Sequence, residues 1–283
     1  MPRAHAGLTA AQRALLEQWL PQHDVVDDMS WGVLETTVLR IDTPDGMRVL
    51  KAGGESDHHI VREIRAHREW TGPWVATGHA ARLVRADEEA KLLLTEHLPG
   101  RLVQGDVAAT DPATYEQAGA LLARFHAQLS VRDADFERRV NEKALAWLDG
   151  PHRIPAGDVA RLRAIIADWP EDAIDCVPTH GDWQPRNWLV DELGTVRVID
   201  FGRADLRPPF EDWERLDSGE FVGRPDLAEA FAAGYGSDPR DSHAWFRQRT
   251  RAGVSAACWS FRFGVAELEE RGLRVLAEVL AEA

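Results

Sequence analysis

The sequence predicts an α+β fold in two unequal parts: a small N-terminal antiparallel β-sheet carrying one helix, then a larger, mainly α-helical C-terminal part. Three observations carry this. Short β-rich runs separated by turn residues crowd the first hundred positions, helical periodicity dominates from about residue 113, and Leu98-Pro99-Gly100 lies between the two textures. A chain of 283 residues has the length of two ordinary domains, and the division is placed at 1–97 and 98–283.

A Thr9-x-x-Gln12 capping box opens a first helix that runs through Leu15, Leu16 and Trp19 to Pro21. Two β-rich runs, Thr36 to Asp42 and Met47 to Lys51, flank Pro44-Asp45-Gly46 and read as a hairpin, with Lys51 near the end of its second strand. In 57–70 the residues at 60, 64, 67 and 70 form the stripe of an amphipathic helix. Glu63 sits beside that stripe and Glu69 on the opposite face. Strands are expected at 81–86 and 91–97, joined by a turn at Asp87-Glu88-Glu89. Helices are expected at 113–129, 137–149, 158–169, 210–221, 226–235 and 241–281. Inside that helical half, 187–202 reads as strand, tight turn at Leu193-Gly194, strand.

Composition narrows the partners. A formal net charge of −14 argues against nucleic acid and anionic membranes, both of which select clustered positive charge. A small, cationic partner suits it better. No window approaches about 18 uncharged apolar residues and the first 25 lack a signal-peptide core, so a cytoplasmic protein is expected. Cys176 and Cys258 have neither CxxC spacing nor a histidine cluster, and read as buried small hydrophobes. Only Lys51, Lys91 and Lys143 are lysine; the other basic residues are arginine. Where arginine serves almost everywhere, a retained lysine marks a place that needs a compact ammonium.

The chemistry-bearing residues cluster in two motifs, His180-Gly-Asp182-Trp-Gln-Pro-Arg186-Asn187 and Asp200-Phe201-Gly202. Asparagine occurs only twice in the chain, so His-x-Asp-x(4)-Asn arises by chance on the order of 0.01 times. A turn centred between 193 and 194 sets Asn187 directly opposite Asp200, with Cα atoms about 4.5 to 5.5 Å apart. An amide oxygen and a carboxylate so placed suit one magnesium region, since hard oxygen ligands suit that ion. Asp182 then stands beside it, facing an incoming hydroxyl.

These motifs resemble the aminoglycoside phosphotransferase family, within the protein-kinase-like superfamily that also holds choline, homoserine and fructosamine kinases. The similarity spans nearly the whole chain. It implies a two-lobed kinase-like fold and transfer of the γ-phosphoryl group of ATP or GTP to a substrate hydroxyl. By resemblance, Asp182 orients the hydroxyl and accepts its proton, His180 orients the loop, and Asn187 and Asp200 hold Mg2+. Lys51 and Glu63 match the pair that positions the α- and β-phosphates. Glu96, His97 and Leu98 match the hinge that meets the base, and Ser30 lies in the 29–35 turn that covers the nucleotide; that turn has one glycine rather than G-x-G-x-x-G. Asp212 resembles the buried acid that braces the catalytic loop, and His126 a structural histidine behind it. Gln184 departs from the lysine of many protein kinases, with Arg186 the nearby positive charge.

For the acceptor, Glu214, Asp217 and Glu220 fall near one helical face and suit a polycationic antibiotic, though the same pattern is an ordinary solvated face. Trp213, Trp245 and Trp259 offer either an aromatic wall or core residues. Antibiotic O-phosphorylation is the leading expectation, with a housekeeping metabolite kinase second and a non-catalytic nucleotide-binding pseudokinase third. A metal-dependent hydrolase would need more His or Asp ligands than the 180–182 region offers. A monomer or a homodimer is expected.

Overall fold

In a computed structural model, residues 7–30, 36–240 and 242–283 are described. The chain begins with helix α1 (Ala10–Trp19), whose capping box is formed as its sequence requires. Strands β1 (Asp24–Asp28), β2 (Thr36–Asp42) and β3 (Arg48–Gly53) follow, then α2 (His59–Glu69), the single turn α3 (Gly72–Val75), β4 (Leu83–Asp87) and β5 (Leu92–Glu96). The five strands form one antiparallel sheet in the order β1-β2-β3-β5-β4. Strand β1, too polar for its alternation to show, was not expected.

Period-two alternation gives this sheet two different faces. Leu39, Ile41, Leu50, Ala52, Leu92 and Leu94 pack with Leu16 of α1. Gln12 pins that helix down, its amide donating to the carbonyls of Gly53 at 3.0 Å and Ala90 at 2.8 Å. Leu93 packs with Ile60 and Ile64 of α2. Lys51 stands directly opposite Leu93 in the ladder, so it too is directed at α2. Glu63 is buried and Glu69 exposed, as the helical stripe predicts.

The second part contains β6 (Arg101–Leu102), α4 (Pro112–His126), β7 (Val131–Asp133), α5 (Phe136–Leu148), α6 (Ala156–Ala167), β8 (Ile174–Thr179), β9 (Trp188–Val190), β10 (Val196–Val198) and β11 (Asp205–Arg207). Helices α7 (Glu214–Ser218), α8 (Pro225–Tyr235), α9 (His243–Phe263) and α10 (Ala266–Glu282) complete it. Two small sheets, β10-β9-β6 and β11-β8-β7, carry the connections between helices. The largest core joins Trp74, Phe125, Trp183, Trp188, Phe201, Trp213 and Phe231, and it also takes in Trp70 and Ala80 from the first hundred residues. Trp213 and Trp245 are core residues, whereas Trp259 is exposed. Both cysteines are buried and free.

Three expectations need correction. The helix expected at 241–281 is two, because Gly264 takes a left-handed conformation (φ 72°) that caps α9 and turns the chain. The helix expected at 210–221 is a 3-10 turn, Pro209–Asp212, followed by the short α7, which Gly219 ends in a non-helical conformation. The hairpin register also differs. Val190 pairs with Val196 and Trp188 with Val198, so Asn187 lies opposite Ile199 rather than Asp200. Its connection is three residues, 192–194, with Gly194 left-handed (φ 78°) and Asp191 accepting the N–H groups of Leu193 and Thr195.

Helices α4 and α8 meet through glycine. A methyl group on Gly234 would lie 1.9 Å from the Glu116 carbonyl oxygen, and one on Gly119 2.2 Å from that of Phe231. Alanine normally favours a helix over glycine by up to about 1 kcal/mol. Here overpacking of about 1–3 kcal/mol outweighs that gain. Gly234→Ala is therefore expected to lower the urea midpoint at unchanged m-value; a raised midpoint would show that the helices do not approach this closely.

Candidate active site

Strand β8 delivers the chain at Thr179 into the loop that starts with His180. The next step needs glycine. Gly181 has φ 76°, and a Cβ there would sit 2.3 Å from the Arg203 carbonyl oxygen. Beneath this turn lies the buried carboxylate of Asp212. It accepts the His180 N–H at 2.8 Å and the Gly181 N–H at 2.6 Å, while His126 Nε2 lies 3.0 Å from it. His126 in turn meets the Tyr235 hydroxyl at 2.8 Å. Burial works to raise the Asp212 pKa, but the contact with His126 and the backbone donors outweigh it and hold the carboxyl below its usual range. The His180 ring is fully buried against Trp183 and Phe201, and its Nε2 lies 3.1 Å from the Ile199 carbonyl oxygen. It ties the loop to the end of β10.

What brings Asp200 into the site is its own backbone. At φ 66° it occupies a region uncommon for a residue other than glycine, and the chain leaves the strand there immediately after Ile199. Its Oδ1 lies 3.2 Å from Lys51 Nζ, which also donates to both Glu63 oxygens at 2.8 and 2.9 Å. One ammonium thereby links β3, α2 and the segment after β10. Burial acts to lower the Lys51 pKa, but Asp200 and Glu63 together raise it, so the side chain stays charged.

Asp182 is almost fully buried, and its carboxylate is surrounded by donors. Gln184 Nε2 donates to Oδ1 at 2.6 Å; Arg186 Nη2 and Asn187 Nδ2 donate to Oδ2 at 2.6 and 3.0 Å. Arg215 Nε pairs with Oδ1 at 2.8 Å. Burial acts to raise its pKa, and the guanidinium groups of Arg215 and Arg186 overcome it, holding the carboxyl well below the usual range. Asn187 also donates to the Asp182 carbonyl at 2.8 Å, which fixes its amide and leaves Oδ1 as its remaining oxygen donor.

The other expected residues are spread around these. The Glu96 and His97 N–H groups are taken by the carbonyls of Arg82 and Met47, whereas no hydrogen bond to the Leu98 N–H occurs among the described residues. Ser30 closes the β1–β2 edge, its hydroxyl accepting the Val38 N–H at 2.9 Å; the rest of its turn, 31–35, lies outside the described residues. Asp217 is ion-paired with Arg240 at 3.2 Å. Glu214 and Asp217 line, with Arg249 and Arg274, a cavity of about 30 Å³, room for one water molecule. Glu220 is half-buried with Arg271, Arg215 and Arg186 as its charged neighbours. Sequence reasoning missed Arg215 and Arg203. Arg215 reaches Asp182 across 33 positions, and nothing in a five-residue helix announces that contact.

Asp212→Asn removes the charge that organises two backbone donors and a histidine, and is expected to cost about 2–4 kcal/mol. Because the folded pKa is below the unfolded one, this contribution is complete above about pH 4 and is lost as pH falls through the folded value. Denaturation of wild type and variant at pH 7 and at pH 3 checks both statements. A gap as wide at pH 3 as at pH 7 would contradict them.

Comparison with known proteins bears on family and fold. A family model described as the phosphotransferase enzyme family, APH, matches residues 28–246. No curated protein sequence matches the chain. Among solved structures, aminoglycoside phosphotransferase APH(4)-Ia superposes with a TM-score of 0.70 at 14% identity, over 96% of this chain and 99% of that one. Choline kinase LicA from Streptococcus pneumoniae gives 0.62 at 14% identity, over 97% and 100%. Macrolide 2'-phosphotransferase MphH from Brachybacterium faecium gives 0.58 at 18% identity, over 95% and 98%. The kinase-like fold is thus shared along the whole chain, and with its sequence matched from residue 28 to residue 246 the protein belongs to the APH phosphotransferase enzyme family.

Proposed function

We propose that this phosphotransferase moves the γ-phosphoryl group of a nucleoside triphosphate to a hydroxyl of a small molecule, with Asp182 as the residue that receives the hydroxyl proton. The observation that carries the reading is the ion cluster of Lys51, Glu63 and Asp200 set beside a buried, ionised Asp182. Lys51, held by Glu63, meets the nucleotide phosphates, and Leu98 offers its N–H to the base. The APH(4)-Ia structure solved with ADP and hygromycin B is a fold relative that holds a nucleotide and an acceptor together. The acceptor oxygen forms a bond to the γ-phosphorus as the bond from that phosphorus to the β–γ bridging oxygen breaks. The electron pair leaves with the nucleoside diphosphate, and the hydroxyl proton passes to Asp182. The transition state is loose, so a strongly ionised, weakly basic aspartate is adequate.

The donor set fits magnesium. One Asp200 carboxylate and Asn187 Oδ1 are hard oxygen donors, few enough for an ion that keeps waters and phosphate oxygens in its shell. When bound there it would neutralise phosphate charge. His180 and Asp212 position the loop, and Arg186 supplies positive charge beside it. We set the division between nucleotide-binding and acceptor-binding parts at 97/98. No described helix is long and apolar enough to cross a membrane, and we place the reaction in the cytoplasm, where nucleoside triphosphate is found. The antibiotic reading of the acceptor rests on fold relatives; the residues around Asp182 speak to acceptor charge instead.

Calorimetry and a coupled assay of nucleotide consumption over an acceptor panel test these roles. Asp182→Asn is expected to keep Mg2+-dependent affinity for a non-hydrolysable ATP analogue while turnover falls by about 10²–10⁴. Asp200→Ala is expected to lose that affinity. Wild-type turnover in Asp182→Asn would rule out the assignment.

A further inference from the structure

We propose that the acceptor carries an anionic group, a carboxylate or a phosphate, received by Arg215 with Arg186 and Arg203 beside Asp182. The inference rests on Asp182 being the acceptor-facing base.

The argument starts from the donor count. A carboxylate offers about four acceptor positions, and four donor atoms already contact Asp182: one each from Gln184, Arg186, Asn187 and Arg215. An incoming hydroxyl finds no vacant position until one donor withdraws. Asn187 is buried and doubly bonded to Asp182, so it stays. Gln184, Arg215 and Arg186 are half-buried and able to turn toward solvent, and of these the two guanidinium groups, with 27% and 34% of their side chains exposed, are the ones an arriving anion would draw. A guanidinium drawn from a carboxylate loses a charge-assisted contact. A second anion arriving with the acceptor replaces that contact, so recognition of the acceptor and release of the base become one event.

The surroundings point the same way. Arg203, directly after Asp200-Phe201-Gly202, is exposed, faces Asp182 electrostatically and has no ion pair among the described residues. The acids nearby are already occupied. Asp200 is held by Lys51, Asp205 lies between Arg65 and Arg207, and Glu211 pairs with Arg207. Glu214 and Glu220 have Arg215 and Arg271 as charged neighbours, and burial raises both carboxyls above their usual range. A polycation entering here meets guanidinium groups first.

The test uses full-length protein loaded with Mg2+ and a non-hydrolysable ATP analogue, so that the nucleotide site is filled. Inorganic phosphate, D-gluconate and D-glucamine are titrated by calorimetry into wild type, Arg215→Gln and Arg215→Lys. Gluconate and glucamine share a polyol chain and differ in the sign of the terminal charge. Phosphate and gluconate are expected to saturate the wild type and to bind about tenfold more weakly to Arg215→Gln, with partial recovery in Arg215→Lys, which keeps the charge without the planar fork. Glucamine is expected to bind none of the three proteins. Unchanged analogue affinity serves as the folding control. Preferential binding of glucamine, absence of anion saturation in wild type, or equal anion affinity in Arg215→Gln would overturn the proposal. Anion binding only without the analogue would also overturn it, by assigning the arginines to the nucleotide. Failure of wild type to bind the analogue at all would strike at the kinase roles of Lys51 and Asp200, a distinct result.

Discussion

The ammonium of Lys51 ties the sheet to the catalytic segments through two charges at once. It lies within β3, and its two carboxylate partners come from different segments, Glu63 from α2 and Asp200 from beyond β10. Of the two, Asp200 is the one that reaches the sheet from the helical part, beside the core that Trp70, Trp74 and Ala80 share with it. Glu63 is buried and depends on the lysine for its counter-charge, so displacing Lys51 would leave an unpaired acid in the interior. Asp200 is much more open, with half its side chain exposed. The asymmetry suits the proposed roles: one acid anchors the lysine, and the other keeps an oxygen for a ligand.

A second constraint acts on the far side of the loop. Asp212 satisfies two consecutive backbone N–H groups that a left-handed glycine has turned downward, and it is held in place by His126 from α4. Tyr235, on α8, completes the chain of contacts. The close glycine-mediated approach of α4 and α8 therefore bears on the active site, because it sets the distance between the histidine and the tyrosine that support Asp212. Packing of Trp74, Phe125, Trp183 and Phe201 around His180 does the rest. The loop is rigid for reasons that lie mostly outside it.

Much of this was legible in the sequence where periodicity or turn chemistry is strong. The capping box of α1, the inward Glu63, and the paired strands β2 and β3 follow from local pattern. The short strands β6, β7, β8 and β11 do not, since runs of two to six residues with irregular burial carry little alternation. The hairpin shows the limit well. Leu193-Gly194 was the right place for a turn, but a two-residue and a three-residue loop differ by one position of register, and only the left-handed Gly194 with its Asp191 brace selects the longer one. The residue types of the site were readable because Asp182, Asn187 and Asp200 sit in two compact motifs. Arg215 was not, because its meaning depends wholly on a contact made across the fold.

That contact bears on the role proposed for Asp182. A base with a depressed pKa and a full complement of donors is poorly suited to tearing off a proton, and a loose phosphoryl-transfer transition state does not ask it to. In the proposed role it aligns a hydroxyl with the γ-phosphorus, and alignment improves when the carboxylate is fixed on several sides. Gln184 and Asn187 provide that fixity from within the loop. The guanidinium groups come from residues whose side chains reach solvent, and their hold on the carboxylate is the part a bound molecule is able to change. Under the proposed function, the same two oxygens orient the acceptor when it is present and stay in an occupied ion pair when it is absent.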